Sequence, residues 1–123
     1  MELDRVGPLS GTDDFHMGRL IYGTGDTDVE FEDRLLAHLK VVISTKLRRN
    51  EAFMLSWEHG TEEGSGRSTI WIHPSIPLHF RFYGNKSPAL NRVWIEDLML
   101  AANSTGGLRP VPEPDEHSEP GNS

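Results

Sequence analysis

The sequence predicts a small α+β fold: a single domain with one antiparallel sheet in the order β-β-α-β-β-β-α and two helices packed on one of its faces. Three observations predict it. Five short runs alternate apolar and polar residues with period two, and two longer runs carry apolar residues at helical spacing. The segments between them are rich in Gly, Pro, Asn and Asp. Neither an internal repeat nor a second core is visible.

Arg19 to Gly23 and Thr27 to Glu32 read as strands, the second alternating Val29 and Phe31 with Asp28, Glu30 and Glu32. Thr24-Gly25-Asp26 between them is hairpin material. From Asp33, a plausible N-cap, Leu35, Leu36, Leu39, Val42, Ile43 and Leu47 form the apolar stripe of a helix. Lys46, Arg48 and Arg49 fall in its last turn, where cations complement the helix dipole. Phe53, Leu55 and Trp57 mark a third strand ending near Glu58, and the glycine-rich HGTEEGSGR is a long loop. Ser68 to His73 and Leu78 to Tyr83 are the last two strands, and Pro74-Ser75-Ile76-Pro77 predicts that they form a hairpin. Ser87-Pro88 predicts the start of a second helix, with Leu90, Val93, Trp94, Leu98, Ala101 and Ala102 on its apolar stripe and Gly106-Gly107 at its end.

The 123 residues carry a formal net charge of −7, and all of that excess lies at the ends. Residues 1–16 hold Glu2, Asp4, Asp13 and Asp14 against Arg5, whereas residues 110–123 hold Glu113, Asp115, Glu116 and Glu119 with no base. Both read as disordered acidic tails; the second has one aliphatic residue, Val111, too little to offset ~1–2 kcal/mol of backbone entropy per residue. The domain between them, 17–109, is formally neutral, so local clusters decide what it can bind. Without cysteine, disulfides, thiolate zinc sites, iron–sulfur ligation and cysteine nucleophiles are excluded. No stretch approaches the ~18 apolar residues of a membrane span, and the N-terminus lacks the apolar middle of a secretion signal, so a cytoplasmic protein without membrane partners is expected.

If the last two strands form a hairpin, alternation puts Ile70, Ile72, Leu78, Phe80 and Phe82 on one face and Trp71, His73, His79, Arg81 and Tyr83 on the other. This aromatic and cationic face has three readings. Cross-strand aromatic pairs simply stiffen sheets. Alternatively, rings flanked by Arg stack bases and contact phosphates, as single-stranded nucleic acid requires. The third reading is association with another protein or a second copy of the chain. Lys46, Arg48 and Arg49 extend the candidate surface. His73 and His79 lack a well-placed third metal ligand, and Gly23-Thr24-Gly25 and Gly64-Ser65-Gly66-Arg67 lack the context of nucleotide-binding loops. No G-x-S-x-G elbow is present either, so no catalytic residue, cofactor or metal is assigned.

MGRLIYG from Met17, RLLAHLKVVISTKLRRNE from Arg34, TIWIHPSIPLHFRFYGN from Thr69 and NRVWIEDLMLAANSTGGLRPVPEP from Asn91 together resemble a family of small uncharacterised actinobacterial proteins. The resemblance spans Met17 to Pro114, and many members carry the label ATP-dependent DNA ligase. Members typically start at the equivalent of Met17. The label implies a role in ligation, yet a ligase is adenylylated on the lysine of a K-x-D-G motif. The three lysines stand in Lys40-Val41-Val42-Ile43, Lys46-Leu47-Arg48-Arg49 and Lys86-Ser87-Pro88-Ala89, none of which matches. The expectation is a nucleic-acid-associated accessory module whose partner is single-stranded nucleic acid or a nucleic-acid enzyme. A protein-interaction or dimerisation domain is the alternative, and ligase activity ranks third.

Overall fold

A computed structural model describes residues 16–25, 27–58 and 66–115. The acidic leader up to residue 15 and the end of the acidic tail from residue 116 lie outside the described residues, as does most of the 59–66 loop. The protein is α+β, with elements β1 (Met17–Tyr22), β2 (Thr27–Glu32), α1 (Asp33–Arg48), β3 (Phe53–Glu58), β4 (Arg67–Ile72), β5 (Leu78–Arg81) and α2 (Arg92–Ala102), the order that the sequence predicts. The strands form two small antiparallel sheets where one was expected, β2-β1-β5 and β3-β4. The chain correspondingly divides into two compact units, residues 1–37 with 77–88 and residues 38–76 with 89–123.

In the first unit β1 is the central strand. Leu20 stands between Val29 of β2 and Phe80 of β5, and Tyr22 between Thr27 and Leu78. Gly18, Leu20 and Tyr22 are buried while Met17, Arg19 and Ile21 alternate with them on the outer side. The turn into β2 uses Gly23 and Gly25 at φ 75° and 104°, a backbone region that costs L side chains ~1–2 kcal/mol. Gly18 is required for a different reason. A Cβ there would lie 2.6 Å from the Arg81 carbonyl oxygen and 2.8 Å from both Asp33 Oδ1 and a Leu36 methyl, so β5 and the start of α1 close over it only because it has no side chain.

The predicted β4–β5 hairpin does not form. Ile76 donates to the His73 carbonyl at 3.1 Å, so the connector makes a turn, but β5 then pairs with β1 and β4 with β3. Strand alternation is a local pattern and says nothing about which neighbour is chosen. Here Phe53 and Leu55 offer β4 matching partners in Ile72 and Ile70, while Leu20 and Tyr22 do the same for β5.

In the second unit, α1 ends in a Schellman motif, with Glu51 donating to Lys46 O at 3.1 Å and Asn50 to Leu47 O at 2.9 Å. Asn50 takes the left-handed position at φ 63°. The second helix starts later than Ser87-Pro88 predicts: Asn91, extended at φ −101° and ψ 107°, is the N-cap, and its side chain accepts from Trp94 N–H at 3.2 Å. That helix also ends before the glycines, with Asn103 as its C-cap. Gly107 serves the sheet instead, at φ 84°, where a Cβ would stand 2.8 Å from the Met54 carbonyl oxygen. Leu108 then runs parallel to β3, donating to Met54 O and accepting from Ser56 N–H, both at 2.9 Å.

Residues 110–115, assigned by composition to the disordered tail, are fastened within this unit. Trp94 Nε1 donates to Val111 O at 2.9 Å, and Asn91 Nδ2 donates to Glu113 Oε2 and Pro114 O, each at 2.9 Å. Composition misses this because the side chains that hold the segment, Asn91 and Trp94, lie far upstream of it. Among the described residues no helix is long and apolar enough to cross a membrane.

Candidate binding surface

The strand expected to reach Tyr83 ends at Arg81; His79 and Arg81 on β5 and Tyr83 in the bend after it are exposed, while Leu78, Phe80 and Phe82 are half-buried. Tyr83 is fixed from behind. The Asp33 carboxylate, at the start of α1, accepts from Tyr83 N–H at 3.0 Å and from Gly84 N–H at 2.8 Å. Asp33 was expected to cap its own helix; its carboxylate instead holds the segment after β5. Charge-assisted bonds of this kind are roughly twice as strong as neutral ones. The Tyr83 ring remains 69% exposed and lies 4.6 Å from the His16 ring.

The outer face of the first sheet is graded in charge. Asp28, Glu30 and Glu32 point outward from β2, Met17, Arg19 and Ile21 from β1, and His79 and Arg81 from β5. Arg19 donates to Asp28 at 2.7 Å and to Glu30 at 2.9 Å. The hydrogen bond that Arg19 donates to the Asp28 carboxylate raises the Arg19 pKa further and favours its charged form. Directly across the ladder from Arg19 stands Arg81. Like charges opposed on one face repel, and Arg81 has no acidic partner among the described residues. An exposed, unneutralised guanidinium between an imidazole and a phenol ring can hold an oxyanion and a planar group together.

The other candidates lie elsewhere. Trp71, in the second unit, is 51% exposed and pairs across the ladder with Met54, itself 43% exposed. His73 follows β4 and organises the turn: its Nδ1 accepts from Ser75 N–H at 3.1 Å and lies 2.8 Å from Ser75 Oγ. Trp71 and His73 therefore do not share a ladder with His79, Arg81 and Tyr83, and the five-residue face expected from a β4–β5 hairpin is not built that way. Arg48 and Arg49 are exposed at the end of α1. Lys46 is a correction. It is only 6% exposed, donates to Asn103 Oδ1 at 2.7 Å, pairs with Glu51 at 3.1 Å and lies over the Phe53 ring, so it tethers the helix end and is not a surface cation. Helical periodicity places Lys46 in the last turn but cannot reveal that Asn103, far along the chain, receives it.

One polar cluster escaped the sequence reading. His38 is fully buried, its Nε2 accepts from Asn91 N–H at 2.7 Å, and its ring stands 4.5 Å from that of Trp94. Because Nε2 is the acceptor, the imidazole carries its proton on Nδ1 when neutral. The available signal was its position between Leu35 and Leu39 on the apolar stripe of α1. Asn91 also joins the start of α2 to Glu113 and Pro114, so the cluster ties α1, α2 and the segment after Leu108 together. Among the described residues no three His, Asp or Glu side chains gather as a metal site would require.

The family model of a domain of unknown function (DUF7882) matches residues 17–113, beginning at the first residue of β1 and including most of the fastened segment after Leu108. No curated protein and no solved structure matches the chain.

Proposed function

This chain belongs to the DUF7882 family, whose function is unknown, and we propose that it acts as a small nucleic-acid-associated accessory module rather than as a complete ligase. One observation carries the reading: Arg81, opposed by Arg19 and without an acid of its own among the described residues, is exposed between His79 and Tyr83. A phosphate would relieve the repulsion while a base stacks on the phenol ring, an interaction worth ~1–3 kcal/mol per base. Arg48 and Arg49, exposed at the end of α1 in the second unit, offer phosphate contacts of their own. The formally neutral body favours modest, salt-sensitive affinity, and the proposal includes a cytoplasmic location and the actinobacterial setting that the resemblance implies.

The test is a titration of fluorescent single-stranded DNA at about 50 and 200 mM salt. Binding should weaken with salt, and Arg81→Ala should lower the salt slope by ~0.7, the share of one phosphate on a single strand. No binding at the lower salt, or an Arg81→Ala protein with the parental slope, would refute the reading.

A second reading rests on the exposed Met54–Trp71 pair, which suits a protein partner or a second copy of the chain. It predicts self-association or partner binding that Trp71→Ala removes while Arg81→Ala does not. Ligase activity stands third. Incubation with labelled ATP and nicked DNA addresses it directly, since a labelled lysine would establish the nucleotidyl transfer that the K-x-D-G motif normally performs.

A further inference from the structure

We propose that the outer face of the β3–β4 sheet joins two copies of the chain, with Met54 packing on the partner's Trp71 and Glu58 pairing with the partner's Arg67. The proposal rests on the protein-association reading of the Met54–Trp71 pair and names its partner; the nucleic-acid reading, carried by other residues, is separate from it. Three rows of the ladder build the face. Met54 stands beside Trp71, Ser56 beside Thr69 and Glu58 beside Arg67. These side chains alternate with Phe53, Leu55 and Ile72, which are buried. Ser56 is half-buried and the others are exposed.

The rows differ in what they leave unsatisfied. In the middle one, Ser56 Oγ and Thr69 Oγ1 lie 2.7 Å apart and serve each other. At one end, Met54 and Trp71 keep 43% and 51% of their surface in solvent, a large apolar pair on an open sheet. At the other end, Glu58 and Arg67 are ladder neighbours of opposite charge, yet neither forms an ion pair with the other or with any other described residue.

The order of the rows selects a second copy as the occupant. A two-fold axis running along the strands, between two such faces, keeps each row level and exchanges the strands, so β3 of one copy lies over β4 of the other. Met54 then meets the partner's Trp71 and Glu58 meets the partner's Arg67, each contact occurring twice. A thioether packs well on an aromatic ring, and the carboxylate and guanidinium left unpaired within one copy satisfy each other across the interface. An axis running across the strands would instead set Met54 against the partner's Glu58. Three rows make a small face beside the ~20–30 residues a side of a standard interface, so the association is weak, and its ionic part is sensitive to salt.

Sedimentation velocity of the full-length chain, from about 10 μM to about 1 mM, covers the range of weak association. The parent protein should dimerise within it, and Trp71→Ala, Glu58→Lys and Arg67→Glu should each raise the dissociation constant about tenfold. An equal mixture of Glu58→Lys and Arg67→Glu should recover the parental constant, because both cross-copy pairs again join opposite charges; misfolded variants would not rescue each other. A parent protein that stays monomeric at the highest concentration would overturn the second copy as occupant and leave the face to a different protein. Dimerisation undiminished by Trp71→Ala would remove this face from association altogether. A mixture that dimerises no better than its components would overturn the two-fold arrangement.

Discussion

Gly107→Ala isolates the contact that joins the end of the chain to the second sheet. Two independent terms set its cost. At φ 84° an alanine sits in the left-handed region, costing ~1–2 kcal/mol, and its Cβ would stand 2.8 Å from both the carbonyl oxygen and the Cβ of Met54. The Met54 backbone has little freedom to yield, because its carbonyl accepts from Leu108 N–H at 2.9 Å. Relieving the overlap strains that bond and its companion from Ser56 N–H to Leu108 O, each worth ~0.5–1.5 kcal/mol. Together the terms amount to about 2–5 kcal/mol. Two alanine controls separate them. Gly23→Ala shares the positive φ but meets nothing within 4 Å, so it should cost only ~1–2 kcal/mol. Gly106→Ala has neither problem, its nearest neighbour being the end of the Arg109 side chain at 3.5 Å, and should stay within ~0.5 kcal/mol of the parent protein. Urea unfolding at fixed pH and salt measures all three. A Gly107→Ala protein no less stable than Gly23→Ala would show that the Met54 overlap has no energetic consequence.

Asp33→Ala should cost ~1–3 kcal/mol by leaving Tyr83 N–H and Gly84 N–H without their acceptor, and hydrogen exchange at those two amides should accelerate far more than at Leu20; equal acceleration would show that Asp33 does not hold this segment. Asn50→Gly should stabilise the protein by about 0.5–1 kcal/mol in the same urea assay, because glycine takes the left-handed end of the Schellman motif without a Cβ penalty. A destabilised Asn50→Gly protein would mean that the asparagine side chain contributes more than its backbone conformation costs.

Periodicity is a property of neighbouring residues, so the sequence by itself determined the kind and order of the elements. Alternation in Phe53-Met54-Leu55 and Leu78-His79-Phe80 is strand alternation whichever strands lie beside it, and the stripe from Leu35 to Leu47 is helical without reference to what covers it. It also carried the alternation along β5 in which His79 and Arg81 are exposed and Leu78 and Phe80 half-buried.

Which elements meet is decided over long separations, and there the tertiary structure alone decided. Two prolines between β4 and β5 suit a hairpin as well as a turn leading to another strand, yet β5 pairs with β1, so His79 and Arg81 share no ladder with Trp71. Lys46 looked like a surface cation until Asn103, 57 residues later, received its ammonium group. Ser87-Pro88 carries good starting chemistry for a helix, but Asn91 became the cap because it also bonds to His38, Glu113 and Pro114. Each of these outcomes depends on a polar partner or a strand edge supplied from far along the chain, a choice on which a local pattern carries no information.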